Sequence, residues 1–156
     1  MNLHLVIGTP MYGGMCTSEY TQSLLSLSES AAKSDVKLTT IFLGNESLIQ
    51  RGRNTIAHHF MELSDATHLM FIDADIKFRT EDIVKMIQAD KSLIVGPVAL
   101  KGYNWDEIRQ AAVAGEDNIN RTGGVFNINK LPDVDMVSEN EPFEIEHGGN
   151  AFMMIR

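Results

Sequence analysis

Cysteine is nearly absent: Cys16 stands alone in 156 residues, so no intrachain disulfide can staple the chain and a disulfide scaffold is excluded. Long apolar runs are missing as well. None approaches the roughly 18 residues a membrane span needs. Basic residues are few, 13 against 21 acidic ones, for a formal charge of −8. That balance repels a polyanion and supplies no basic stripe for phosphate backbones, so nucleic acid is not an expected partner. The opening Met1-Asn2-Leu3-His4-Leu5 lacks the positive and long apolar regions of a signal peptide. With the single cysteine, this places the chain in a reducing, cytoplasmic setting. There, the glycan-acceptor triplets Asn45-Glu46-Ser47 and Asn120-Arg121-Thr122 carry no weight. No repeat, low-complexity tract or linker rich in Pro, Gly or Ser divides the sequence. What remains is an ordinary globular composition, 44% hydrophobic and 22% charged, and a length suited to one domain over residues 1–156.

The apolar, β-branched run Leu3–Gly8, closed by Gly8-Thr9-Pro10, predicts a buried first strand ending in a turn. Tyr20, Leu24, Leu27 and Ala31 then recur at helical spacing behind a cap at Thr17 or Ser18, and 36–43 returns to an extended pattern. Ser47 with Gln50 spells a capping box, with Ile49, Ile56, Phe60 and Leu63 on one face of the helix that follows. His68-Leu69-Met70-Phe71-Ile72 is a further strand, Thr80 is the expected cap of a short helix presenting Ile83, Met86 and Ile87, and 92–98 is another strand. Three strand–helix units in series predict an α/β fold of Rossmann-like class, with a mixed sheet, parallel in its first half, flanked by helices. Beyond Pro97 the pattern is more irregular. Asn104 and Glu107 spell a second capping box for a helix to about 114, and a last strand is expected at 151–155.

Ligands of open α/β sheets bind beyond the carboxyl ends of the strands. Two such ends carry distinctive residues, Gly8-Thr9-Pro10-Met11-Tyr12 and Asp73-Ala74-Asp75. Carboxylates two residues apart after a hydrophobic strand can approach one cation, and hard oxygens suit Mg²⁺ or Mn²⁺. An Asp-x-Asp is also a common surface turn; its place after Leu69-Met70-Phe71-Ile72 is what distinguishes this one. A calcium-binding helix-loop-helix would need an acidic or amide residue at Lys77 and Gly at Phe78, and fails. A haloacid-dehalogenase-like phosphatase would carry its Asp on the first strand, with Thr or Val at Lys77, and fits less well. Arg51 and Arg53, with Asn54 beside them, open the second helix; at least one arginine can reach the strand ends and meet phosphate oxygens. Tyr12 can stack on a base or pack on the first helix. Trp105 is either a platform for a sugar ring or a core residue, and His58-His59 should face different sides of their helix.

The order Gly8-Thr9-Pro10-Met11-Tyr12, Gln50-Arg51-Gly52-Arg53-Asn54 and Leu69-Met70-Phe71-Ile72-Asp73-Ala74-Asp75 resembles the nucleotide-sugar half of GT-A glycosyltransferases, especially family 2-like members. Gly96-Pro97-Val98-Ala99-Leu100-Lys101, Asn104-Trp105 and the run from Gly148 to Arg156 are similar to a group found among large DNA viruses and phages, which would put the chain in a host cytoplasm. The resemblance implies a nucleotide-sugar-binding half at 1–100 and an acceptor-side half at 101–156. It implies a UDP- or GDP-sugar donor, a glycan or other hydroxyl acceptor, and Mn²⁺ or Mg²⁺ as Lewis acid. By the same resemblance Thr9, Pro10 and Tyr12 surround the base, Arg53 approaches the base or diphosphate, and Asp73 meets the ribose or sugar. Asp75 is the principal metal ligand, and Gly148-Gly149-Asn150 borders donor sugar and acceptor. His147 is a further candidate metal ligand. In inverting relatives a carboxylate base follows the strand matching 152–155, whereas this sequence stops at Arg156. The expectation is that it ends before its base; Glu144, Glu146 or Asp106 are the alternatives. A nucleotide-sugar-binding module without catalysis is the competing reading.

Overall fold

The computed structural model describes residues 3–117, 119, 122–132 and 141–156. They form two compact units, the first of residues 1–96 and 150–156 and the second of 97–149.

The first unit is a mixed α/β layer structure. Strands β1 (Leu3–Met11), β2 (Val36–Gly44), β3 (His68–Ile72), β4 (Leu93–Val95) and β9 (Phe152–Ile155) make one sheet in the order β2-β1-β3-β9-β4. β1 runs parallel to β2 and β3, while β9 is antiparallel to both β3 and β4. Helices α1 (Ser18–Lys33), α2 (Ile49–Glu62) and α3 (Thr80–Gln88) flank it. β3 is central and covered on both faces, hence its unbroken apolar run. Its alternation sends Leu69 and Phe71 to a core with Val6 and Ile56, the α2 side. Met70 and Ile72 turn the other way, and there the ring of Phe78 meets those of Tyr20 on α1 and Phe152 on β9, each at a centroid separation of 6.0 Å.

Local chemistry departs from the expected caps in two places. α2 begins after Leu48, whose N–H bonds to the Glu46 side chain, so Ser47 caps nothing. α3 begins at Thr80 itself, with Arg79 at the cap position and no side-chain capping bond. Thr17 does cap α1, accepting from Tyr20 N. β1 also outruns its expected end at Gly8: β2 pairs with it as far as Met11. Pairing with β3 stops at Gly8, so the flank that a proline leaves without a donor is unpaired at Pro10.

The second unit holds β5 (Ala99–Tyr103) paired with β6 (Gly124–Phe126), α4 (Trp105–Ala114), and β7 (Ile128–Lys130) paired with β8 (Ile145–Gly148). Asn104 caps α4 through Glu107 N as expected. Trp105 is an exposed residue on that helix, not a core one. No helix among the described residues is long and apolar enough to cross a membrane.

Candidate functional site

Parallel pairing of β1 and β3 brings their carboxyl ends together, and with them the two motifs read from the sequence. At the end of β3 the backbone turns at once: Ile76 N bonds to Asp73 O at 3.1 Å, making Asp73-Ala74-Asp75 a tight turn. Long-range bonds hold it and the residues just after it. Asp73 N donates to Ala151 O at 2.9 Å, Thr17 N to Ala74 O at 2.9 Å, and Phe78 N to the Ser23 hydroxyl at 3.1 Å. Thr17 thus caps α1 and clasps the turn with the same residue. Its capping role was legible from its place before a helix; its partner, 57 residues away, was not.

The two carboxylates live differently. Asp75 is exposed and makes no hydrogen bond or ion pair among the described residues. Asp73 is largely covered and accepts from Arg53 Nη2 at 2.6 Å, the side chains being 30% and 12% exposed respectively. Burial pushes the Asp73 carboxyl above its ordinary range; the Arg53 charge and hydrogen bond pull it back in part, and the like charge of Asp75 adds to the rise. Arg53 keeps its Nε buried with no partner. An unused, desolvated donor costs free energy that a partner would relieve.

Arg51 does not share this position. Its Nε and Nη2 clasp the two oxygens of Glu46 at 2.6 and 2.7 Å, and this bond, with the Leu48 N–H, holds the Glu46 carboxyl down to about 2. Asn54, one residue beyond Arg53, is exposed. At the end of β1, Thr9 is fully buried and its hydroxyl lies 2.6 Å from the Tyr20 hydroxyl. The side chain therefore ties β1 to α1. Pro10 is half-buried. Tyr12 is 79% exposed and touches no other ring among the described residues, so of its two expected roles the geometry leaves it free to stack. It opens a turn through Gly13 and Gly14, at φ of 69° and 70°, which swings the chain away from the strand. Cys16, also exposed, sits one residue before the clasp at Thr17.

Asn150 is exposed and belongs to the first unit, next to the Ala151 carbonyl that receives Asp73 N. Gly148 and Gly149 belong to the second, where Gly148 ends β8 and Gly149 N donates to Asn127 O at 2.8 Å. His147, on β8, is exposed with Glu146 4.0 Å away. Glu144, Glu146 and Asp106 are exposed in the same unit. On α2, His58 and His59 point less far apart than expected, both reaching Glu62 at 3.6 and 3.4 Å. Among the described residues no three His, Cys, Asp or Glu side chains converge on a point that could hold a metal ion. Asp75 alone offers uncommitted hard oxygens at the turn, a donor set that fits a cation whose other ligands are phosphate oxygens and water.

No protein-family model matches the chain, and no curated protein matches it. Among solved structures it is similar to the crystal structure of A197 from STIV, at 16% identity and a TM-score of 0.55, over 99% of this chain. The chain spans 64% of the length of that protein. The likeness is one of fold.

Proposed function

We propose that this chain is a GT-A-like glycosyltransferase domain, binding a nucleoside-diphosphate sugar at the carboxyl ends of β1 and β3 and moving the sugar to a hydroxyl acceptor. The observation that carries the reading is the clasped Asp73-Ala74-Asp75 turn, with one exposed carboxylate and a buried arginine beside it. In this reading Tyr12 stacks on the base and the Arg53 guanidinium lends its charge to the ribose or diphosphate side of the site. Asp73 holds Arg53 in place, and Asp75 holds Mn²⁺ or Mg²⁺. The cation, when bound, neutralises charge on the departing nucleoside diphosphate as the bond to the anomeric carbon breaks. Arg53 adds fixed positive charge from a site that excludes water, where a charge-assisted bond is stronger than in solvent.

Thermal shift tests the binding half. A nucleoside diphosphate at about a hundred times its dissociation constant stabilises by roughly 2.7 kcal/mol, which for a chain of this size is a rise of about 5–10 °C. The rise should require Mn²⁺ or Mg²⁺ and vanish in Asp75→Ala. A parent protein that shows no metal-dependent shift with any nucleoside diphosphate sinks the reading. Slow release of sugar from the donor without acceptor would then separate transfer from binding alone.

A further inference from the structure

The second unit carries an aromatic pair that the donor site does not use. Tyr103, the last residue of β5, and Trp105, the first of α4, have ring centroids 5.8 Å apart and planes inclined at 51°. They are 65% and 67% exposed. Rings of this size ordinarily bury about 150–250 Å² in a fold, and here two adjacent ones do not.

The corner that presents them is built rigidly. Asn104 lies between the two; its side chain accepts from Glu107 N at 3.3 Å and its own N–H donates to Gly123 O at 2.8 Å. Gly123 has φ +76°, and a Cβ there would lie 2.6 Å from Ile108 Cγ1 and 2.8 Å from Asn104 O, so only glycine lets the two segments approach. The strand leaves the tyrosine uncovered: the cross-strand partner of Tyr103 is Gly124, and its chain neighbour is Gly102. Neither has a side chain to lay over the ring. The first turn of α4 also carries Asp106, which accepts from Arg109 Nη1 at 3.2 Å, and Glu107. Those carboxylates repel phosphodiesters and anionic headgroups, as the net charge of −8 does at longer range, and they accept hydrogen bonds from hydroxyl groups.

We infer that Tyr103 and Trp105 form a platform for a neutral pyranose ring. The C–H bonds on one face of a pyranose carry partial positive charge and seat on the negative face of an aromatic ring. A platform held in place before binding loses little conformational entropy when the sugar arrives. The identity of this ring as part of the acceptor rests on the transferase reading above; the capacity to bind it does not.

Trp105 is the only tryptophan in the chain, so selectively excited emission reports on the platform. The protein, without nucleotide or cation, is titrated with methyl glucosides, methyl galactosides, methyl mannosides and cellobiose, with glycerol as a hydroxyl control. At least one sugar should change the emission saturably with a dissociation constant of about 1–10 mM, and glycerol should not. Tyr103→Leu keeps an apolar strand residue but removes the ring, and should weaken that sugar about two- to tenfold; Tyr103→Phe should bind as the parent does. The inference is overturned by an unsaturable response to every sugar, or by an unchanged affinity in Tyr103→Leu. An emission that shifts only with protein concentration, or only with phosphatidylcholine vesicles, overturns it too, by identifying another occupant. Because nucleotide is absent, a failure here leaves the thermal-shift result at the donor site standing or falling by itself.

Discussion

The sharpest consequence of the geometry is that the two aspartates of one turn should fail differently when removed. Asp73→Ala takes, among the described residues, the only carboxylate from an arginine whose side chain is 12% exposed and whose Nε is already buried without a partner there. Losing one member of a fully buried pair costs roughly 3–5 kcal/mol, and of an exposed pair about 0–1 kcal/mol. With Asp73 at 30% exposure, the Arg53–Asp73 pair lies between, and about 2 kcal/mol is expected. For a chain of this size that is a melting temperature lower by roughly 4–8 °C. Asp75 is exposed and unpaired among the described residues, so Asp75→Ala should stay within about 0.5 kcal/mol of the parent while abolishing the metal-dependent shift with nucleotide. Adding Arg53→Met to Asp73→Ala should return at least half of the lost stability, because the stranded charge goes with it. Circular dichroism melts of the four proteins, each shown to refold reversibly, make the comparison. Equal losses for Asp73→Ala and Asp75→Ala, or a double variant worse than the single, would refute the assignment of Asp73 to Arg53.

Gly8→Ala should cost about 1–3 kcal/mol of unfolding free energy in a urea titration, since the new methyl would clash with Cγ2 of the fully buried Ile56. Maleimide labelling of Cys16 should slow when nucleoside diphosphate and Mn²⁺ are both present, as the residue adjoins the clasp on Ala74; labelling indifferent to ligand would place the nucleotide elsewhere. Carboxyl titration by NMR should find Glu46 near 2, below its ordinary 4.5, and Asp73 above its ordinary 3.8. The signs oppose. Glu46 contributes stability that is present above 4.5 and lost as pH falls through about 2, whereas the tighter proton on folded Asp73 makes its contribution decline as pH rises from 3.8 through the raised value. Arg51→Gln should bring Glu46 back toward 4.5 and leave nucleotide binding close to the parent's, in contrast to Arg53→Gln.

Periodicity was enough for the scaffold. Leu69-Met70-Phe71-Ile72 is the expected strand covered on both faces, and of Tyr20, Leu24, Leu27 and Ala31 at helical spacing all but the half-buried Leu24 are buried. Such patterns are local, and burial enforces them residue by residue. The cap at Asn104 was legible for the same reason, and that of α1 was narrowed to Thr17 or Ser18, of which Thr17 serves. At the start of α2 the pattern pointed to Ser47 and was wrong: Glu46 serves instead, because its longer side chain reaches Leu48 N while also clasping Arg51. Asp73-Ala74-Asp75 suggested a candidate site after a strand, and the resemblance gave its two acids different roles. Only the tertiary structure showed their surroundings, by packing Arg53 from a helix 20 residues earlier against Asp73 and leaving Asp75 in solvent. It likewise turned Thr9 inward to Tyr20 and clasped the Ala74 carbonyl with Thr17. It left Tyr103 and Trp105 bare at a glycine-braced corner. Hydrophobic pattern tells a chain which face to bury. Which polar groups meet once it is buried depends on contacts between segments far apart in sequence, and those are settled only when the layers close.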